Sequence, residues 1–198
     1  MEILYSNDQW VVCVKPVELD SEHDMPEALS NAVGGPIWPV HRLDKNVGGV
    51  MVYARTKAAA AVLSRGVQEG TVVKEYVALV HGAVSEGDTW VDLLWKDSAK
   101  NKVYVVKRLR KGVKEAKLSF WRLGGDENHS LVRIRLHTGR SHQIRVQFAS
   151  RKHPLMGDGK YGSKDNQVQA PRLYACCLSF VFDGEIHTYE SYPDWMTV

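Results

Sequence analysis

The sequence has little cysteine and no long apolar run, and both shortages narrow the class of protein. Its 198 residues include three cysteines, Cys13, Cys176 and Cys177. Because the number is odd and the two neighbours would point to opposite faces of a strand, we expect no disulfide framework and a reduced, cytoplasmic setting. No segment approaches the roughly 18 to 20 apolar residues of a membrane span, and the start MEILYSNDQW is unlike a signal peptide. We therefore expect a soluble protein that is not exported.

Several catalytic signatures are also missing. The Gly-x-Ser-x-Gly motif that holds the nucleophilic serine of many hydrolases does not occur, so we do not expect a serine hydrolase. His137, His142 and His153 lack the spacing of a helical zinc pair, and no cysteine or carboxylate completes a tetrahedral set, so we expect no metal. The glycines of residues 157–162 have the spacing of a dinucleotide-binding loop, but no strand precedes them and no acid follows about 20 residues on. We interpret them as a tight turn. A nucleotide-binding oxidoreductase remains a rival that a cofactor titration would exclude.

What the sequence does have is a globular composition and one strongly basic stretch. Hydrophobic residues make up 44% of the chain and charged residues 25%, the balance of an ordinary folded protein with one domain as the default. The net charge is only +3, yet residues 100–117 contain eight lysines and arginines against a single acid, Glu115. Such a stretch attracts a polyanion. A solvated basic hairpin is the alternative interpretation.

Strand patterns outnumber helix patterns. Segments rich in β-branched and aromatic residues, often alternating with polar ones, predict strands at residues 10–14, 50–53, 74–80, 103–107, 116–122, 130–136 and 173–182. One helix is predicted between a Thr56 cap and a Gly70 stop, and a second from Ser141, its expected cap, to about residue 152. Because the strands do not alternate regularly with helices, we predict an α+β fold with a mixed, mostly antiparallel sheet flanked by helices.

Two segments carry candidate functional groups. In residues 39–50, PVHRLDKNVGGV, Asp44 stands between cations and just ahead of two glycines, which predicts a loop that approaches a ligand closely. The alternative is a charge pair that merely decorates a turn. Residues 137–146, HTGRSHQIRV, join a predicted strand to a helix start. Arginines there could bind RNA phosphate or an enzyme carboxylate, or form a basic helix start without a ligand.

Together these segments resemble the RluA-type family of pseudouridine synthases, which modify uridines in ribosomal or transfer RNA. The matching stretches are HRLDKNVGGVMVYART from His41, VVKEYVALVHG from Val72, HTGRSHQIRV from His137, HPLMGDGKYG from His153 and, more weakly, RLYACCLSF from Arg172. The resemblance covers about residues 1–195. It implies a single catalytic domain over residues 1–198, with a central RNA-binding cleft, no cofactor and no separate RNA-binding headpiece.

By that resemblance each role falls on one residue. Asp44 takes the place of the catalytic aspartate, and Arg42 that of the arginine that helps displace the target base. Tyr76 matches the tyrosine that stacks on uracil, and Arg145 the basic residue that pairs with the aspartate. The implied reaction is the isomerisation of uridine in structured ribosomal or transfer RNA to pseudouridine. We expect a monomer that binds an RNA stem-loop.

The resemblance has departures and a competing hypothesis. Gln147 and Tyr174 stand where the family often has histidine, and residues 46–48 replace the usual acidic or threonine-serine-glycine run. These departures leave the RNA target open rather than the reaction. The rival is a catalytically inactive RNA-binding protein of the same fold. Retention of Asp44, Tyr76 and Arg145 together argues against it, because a binder needs no buried acid facing a polyanion.

Overall fold

The structure, a computed structural model, describes residues 1–165, 168 and 170–196. In chain order its elements are β1 (Glu2–Ser6), β2 (Trp10–Lys15), α1 (Asp24–Val33), β3 (Trp38–Pro39), β4 (Gly48–Ala54), α2 (Lys57–Glu69), β5 (Val73–His81), β6 (Gly87–Asp97), β7 (Lys102–Val106), β8 (Val113–Gly125), β9 (His129–Leu136), α3 (Gln143–Ser150), a 3-10 turn (Gly159–Tyr161), β10 (Leu173–Phe182), β11 (Glu185–Glu190) and a second 3-10 turn (Asp194–Met196). The predicted α+β class with a mixed, mostly antiparallel sheet is confirmed. The described chain divides into two compact units, residues 1–75 with 174–196 and residues 76–173.

In the first unit, the strands are ordered β1-β2-β4-β10, with β3 also on β4 and β11 on β10. The β4 and β10 strands are parallel, whereas the β1–β2, β2–β4, β3–β4 and β10–β11 pairs are antiparallel. An aromatic group anchors the core, with Trp10 in contact with Phe180 and Phe182. Helix α2 packs Leu63 into the same core. Burial of this apolar group holds β4, the strand that follows the candidate loop, in fixed register with β2.

In the second unit, the order is β5-β9-β8-β6-β7, and the β8–β9, β6–β8 and β6–β7 pairs are antiparallel. Helix α3 covers one face of these strands. Its Val146 packs against Leu94 and Val103, and its Phe148 ring lies 4.7 Å from the Trp90 ring, in an edge-on orientation. This packing positions the residues of α3, Arg145 among them, relative to the strands.

The two predicted helices differ in how well their ends match. Helix α2 is confirmed at both ends: the Thr56 hydroxyl accepts a hydrogen bond from the Ala59 amide at 3.0 Å, and Gly70 adopts the left-handed conformation. The prediction of a Ser141 cap for the second helix is wrong. Helix α3 is shorter than expected, and its N-cap is His142, with φ 50° and no side-chain capping bond.

All seven predicted strands are present within a few residues of their expected ends. The sequence patterns missed α1, the strands β1, β6 and β11, and the short β3. On β10 the neighbours Cys176 and Cys177 are both buried, so this strand is covered on its two faces.

Candidate functional site

Asp44 lies in the loop between β3 and β4, and neighbouring residues tie this loop down. The Leu43 amide and carbonyl both bond to the Ser21 hydroxyl, at 3.3 and 3.1 Å. The Lys45 carbonyl accepts a bond from the Glu18 amide at 2.8 Å, and the Val47 amide donates to the Asp44 carbonyl at 2.9 Å. Leu43 is buried and Asp44 half-buried. The backbone on both sides of the Asp44 carboxylate is therefore anchored.

A buried cation, Lys15, supports the same loop. It has no solvent exposure, and its ammonium donates to the carbonyls of Pro16, Leu19 and Lys45 at 2.8, 2.9 and 3.2 Å. These bonds use all three donors of the ammonium group. Burial lowers the pKa of Lys15 to about 8, against the opposing effect of the Asp20 and Asp44 carboxylates. The sequence analysis missed this residue, which places a positive charge near Asp44.

His41, the first residue of the HRLD motif, fastens the loop to β4. Its Nε2 accepts a hydrogen bond from the Val52 amide at 3.1 Å. Although the residue as a whole is partly exposed, its Nδ1 is buried and has no hydrogen-bond partner among the described residues. Burial, with a smaller contribution from Lys74, lowers the pKa of His41 to about 3. The ring is therefore neutral near pH 7, with its proton on Nδ1, and serves as a structural tie.

The two glycines after the motif belong to strand β4 and are buried. Gly49 has φ 128°, and a Cβ there would collide with the backbone of Ala175 on β10. A Cβ at Gly48 would lie 3.1 Å from the Lys15 carbonyl. The close approach that the sequence predicts at these glycines is thus an approach of neighbouring strands, which seats the end of the Asp44 loop against β2 and β10.

Arg42 occupies the outer side of this loop. Its guanidinium lies 3.8 Å from the Glu22 carboxylate, and the two side chains are 55% and 50% exposed. A pair this long and this exposed contributes little to stability. About half of the Arg42 side chain is therefore open to solvent.

In the second unit, Asp158 holds Arg145 through two hydrogen bonds. Arg145 Nε and Nη2 donate to the two carboxylate oxygens of Asp158 at 2.6 and 2.8 Å, and the side chains are only 4% and 1% exposed. Paired bonds of this kind fix the plane of the guanidinium. The Tyr161 ring adds a contact, with the Arg145 Cζ atom 5.1 Å from the ring centroid. The carboxylate and the ring together set the orientation of Arg145.

Tyr161 is itself fixed by two polar contacts. Its hydroxyl accepts a bond from the Val103 amide at 2.9 Å and lies 2.8 Å from His142 Nδ1. Residues 157–162 form a turn, with Gly157 at φ 76° and Gly162 at φ 102°, so the interpretation of these glycines as turn residues is confirmed. Asp158 and Tyr161 were not recognised as functional candidates, although both lie in the HPLMGDGKYG stretch.

The four predicted site residues divide between the two units. Arg42 and Asp44 share the loop of the first unit, whereas Tyr76 on β5 and Arg145 on α3 belong to the second. Tyr76 is 6% exposed. The expected pairing of Asp44 with Arg145 links residues of different units and stays a prediction.

The structure offers neither a metal site nor a membrane-spanning helix among the residues that it describes. Within it, no group of three or more histidine, cysteine, aspartate or glutamate side chains could hold a metal ion. Among the same residues, no helix combines the length and the apolar character of a membrane span.

A comparison with protein-family models identifies the family of this chain. The family model described as RNA pseudouridylate synthase matches residues 9–150. The chain belongs to the RNA pseudouridylate synthases. This confirms the RluA-type resemblance, and the matched range includes the Asp44 loop, Tyr76 and Arg145.

Among other RNA pseudouridylate synthases, the chain is 35% identical to the dual-specificity RNA pseudouridine synthase RluA of Escherichia coli over 182 residues, covering 86% of this chain and 81% of RluA. It is 40% identical over 143 residues to an uncharacterized RNA pseudouridine synthase of Aquifex aeolicus, covering 70% of this chain and 44% of that protein. It is 37% identical over 126 residues to ribosomal large subunit pseudouridine synthase D of Vibrio cholerae, covering 63% and 38%. The chain thus spans less than half the length of the last two relatives.

Solved structures of this family share the fold. The human RNA pseudouridylate synthase domain containing 1 matches with a TM-score of 0.85 at 23% identity, covering 97% of this chain and 83% of the human chain. The human RNA pseudouridylate synthase domain containing 4 matches with a TM-score of 0.82 at 22% identity, covering 98% of this chain and 89% of the human chain.

Proposed function

We propose that this chain isomerises uridine within structured RNA to pseudouridine and that Asp44 is its catalytic carboxylate. The observation that carries the proposal is the anchoring of the Asp44 loop by the buried Lys15 ammonium, in a chain that belongs to the RNA pseudouridylate synthase family. A buried lysine needs compensation for the water it loses. Placing one beneath a surface loop makes sense if that loop must hold a carboxylate in a fixed position.

The chemistry assigns Asp44 its role. Pseudouridine formation breaks the bond between the ribose and a ring nitrogen, turns the uracil, and rejoins it through a ring carbon. Ionised Asp44 acts on the sugar or on the ring, as a nucleophile or as a base. Pairing with Arg145 would fix the direction of the carboxylate. Arg145 donates from Nε and Nη2 to Asp158. Because a guanidinium has five N–H donors, the same side chain can also donate to a second carboxylate.

Arg42 and Tyr76 would handle the target base. A uridine inside a helix cannot be reached, and flipping it out costs a few kcal/mol, less in a loop. The exposed Arg42 guanidinium can stack and hydrogen-bond where the base was. The Tyr76 ring can supply a stacking face worth roughly 1 to 3 kcal/mol.

The substrate and setting are proposed on the same basis. We propose that the substrate is ribosomal or transfer RNA and that the protein binds it at a stem-loop. We also propose that the protein acts as a monomer in the cytoplasm. The name of one relative, ribosomal large subunit pseudouridine synthase D, supports ribosomal RNA as a substrate, and the name of another, dual-specificity RNA pseudouridine synthase RluA, supports RNA as the substrate class. We further propose that residues 1–198 form one catalytic domain that binds RNA in a central cleft. No cofactor takes part in the proposed reaction.

The test is tritium release from RNA labelled at uracil C5, because the isomerisation replaces that hydrogen with the ribose bond. The RNA should come from cells that lack this protein, so that its target uridine is unmodified. Wild-type protein should release tritium, Asp44→Asn should bind the RNA but release none, and Asp8→Asn, an exposed acid of the same unit, should behave as wild type. A wild-type protein that binds RNA without releasing tritium would establish the inactive alternative. An unchanged single-turnover rate in Asp44→Asn would remove Asp44 from the mechanism.

A further inference from the structure

Strands β6 and β7 present an aromatic pair on the face turned away from helix α3. Trp95 and Tyr104 are directly opposite each other in the antiparallel register, with stacked ring planes and centroids 6.1 Å apart. Their sequence neighbours Leu94 and Val103 point into the α3 core. Because strand side chains alternate, the two rings lie on the other face. Both residues are only half-buried, so part of each aromatic surface reaches solvent.

Positive charge surrounds this pair. The Arg110 guanidinium lies over the Trp95 ring at 5.4 Å, and the Lys102 ammonium over the Tyr104 ring at 5.8 Å. The residues that follow β7, here called the basic loop, are 107–112, with the sequence KRLRKG, and all six are exposed. Even the apolar Leu109 in the loop is 75% exposed. The rings are therefore bordered by a concentration of cations at one end of the strand pair.

A purely structural role explains only half of this arrangement. A cross-strand aromatic pair stabilises a sheet, which accounts for Trp95 against Tyr104. It does not account for the four cations of the basic loop, which repel one another in the absence of an anion. Two acids share the face of Trp95, Asp97, opposite Lys102 in the register, and Glu115, opposite Leu93, whereas Asp92 is paired with Arg151. The excess of positive charge in the basic loop indicates an anionic partner.

We propose that Trp95 and Tyr104 stack an unpaired base of the RNA while the basic loop binds the adjoining phosphates. The inference rests on the proposed function, which supplies RNA as the partner. Aromatic rings beside a cationic groove are the combination that binds single-stranded nucleic acid without sequence preference. A base can replace the Arg110 guanidinium over Trp95, and the guanidinium then pairs with a phosphate of the same strand. This surface belongs to the second unit, whereas the Asp44 loop belongs to the first, and the base that it stacks is not the target uridine.

The test measures binding of the full chain to a fluorescein-labelled oligouridylate of about 12 nucleotides and to an abasic oligomer of the same length. Trp95→Leu keeps an apolar side chain in the strand but removes the aromatic face, whereas Trp95→Phe keeps a ring. The matched control is Trp121→Leu. Trp121 is 45% exposed and lies opposite Gly87, at the far end of β6 from Trp95. Circular dichroism of each variant confirms that it is folded.

Loss of one base stack should weaken oligouridylate binding of Trp95→Leu about ten-fold. Trp95→Phe and Trp121→Leu should stay within about two-fold of wild type on the same scale, and the abasic oligomer should bind equally to all four proteins. Wild-type affinity of Trp95→Leu for oligouridylate, or an equal loss on the abasic oligomer, overturns the stacking assignment. The binding assay requires no conversion of uridine. Failure of the proposed function would therefore appear as absent tritium release, and failure of this inference as unchanged binding.

Discussion

Replacing Asp158 with asparagine should destabilise the second unit strongly. Asp158 and Arg145 are 1% and 4% exposed and share two bonds of 2.6 and 2.8 Å. Asparagine keeps the shape and one oxygen acceptor but turns an NH2 group toward the guanidinium, so one bond is lost and the facing negative charge disappears. Breaking a buried pair in this way costs about 3 to 5 kcal/mol. That is a large share of the roughly 5 to 15 kcal/mol by which a domain is stable.

The assay is urea unfolding of Asp158→Asn beside wild type and Glu127→Gln. Glu127 is exposed in the same unit, and its substitution changes net charge by the same amount. Because water is excluded from the Arg145 pair, the difference between the two variants should persist at high salt, where surface charge effects are screened. A loss of less than about 1 kcal/mol relative to Glu127→Gln would show that the buried carboxylate does not hold Arg145.

Two further predictions concern pH and salt. Since the pKa of His41 is about 3 in the folded chain and about 6.5 when unfolded, the unfolded chain takes up the proton first, and stability falls as pH drops below about 6.5. Urea unfolding at several pH values should show a slope approaching 1.4 kcal/mol per pH unit, about one proton, that His41→Gln lacks; parallel profiles would contradict this. Replacing the four cations of the basic loop with alanine should reduce the slope of log affinity against log salt by about 0.7 per phosphate contact. A slope equal to that of the exposed-lysine control Lys57→Ala would exclude those contacts.

Elements with complete local signals were the ones that the sequence predicted. Helix α2 has a side-chain cap at one end and a left-handed glycine at the other, and both act within a few residues. Helix α1 has a stop signal, Gly34 with φ 74°, but no side-chain cap at its start. Its N-cap, His23, makes no side-chain bond, and Pro26 stands in the first turn, where it is tolerated because the first amides have no helical acceptor. Burial of Met25 and Leu29 one turn apart stabilises α1, and that depends on the rest of the fold.

Strand β6 was missed for a different reason. Its sequence around residues 91–95, VDLLW, has apolar side chains on both faces, so the alternation that predicts a half-buried strand is weak. The structure explains the pattern: Trp90 and Leu94 are buried on the α3 side, while Val91 is exposed on the other. A two-faced apolar pattern is what the proposed aromatic surface at Trp95 requires.

The start of α3 is held by a distant contact rather than by a local cap. Gln143, inside the helix, accepts bonds from the Arg140 amide at 3.0 Å and the Thr138 hydroxyl at 2.8 Å. Its amide nitrogen donates to the Lys117 carbonyl on β8 at 3.1 Å. These bonds fix the residues before the helix but reach none of its first amides, so α3 begins without a side-chain cap. A sequence pattern cannot predict a helix start that is held by a strand residue 26 positions away.

Site residues that belong to a contiguous motif could be predicted from the sequence, whereas those whose role depends on tertiary contacts were missed. The motifs around Asp44 and Arg145 are contiguous in sequence and therefore recognisable. Lys15 reads as an ordinary strand residue, and its role depends on the Lys45 carbonyl, 30 residues away in the chain. Asp158 becomes a partner of Arg145 only after the turn at 157–162 folds back onto α3. Burial of a charge is a tertiary property, since it requires partners that only the folded chain supplies.

Lys15 and Asp158, two residues that the sequence did not reveal, each support one residue of the proposed catalytic pair. Each proposed partner is supported from within its own unit by a buried group of opposite charge: Lys15 for the Asp44 loop and Asp158 for Arg145. A carboxylate and a guanidinium that are oriented before RNA arrives need little reorganisation during the reaction, which is the main source of electrostatic catalysis. Replacement of Lys15 or Asp158 should therefore lower the rate of uridine conversion more than it lowers the affinity for RNA.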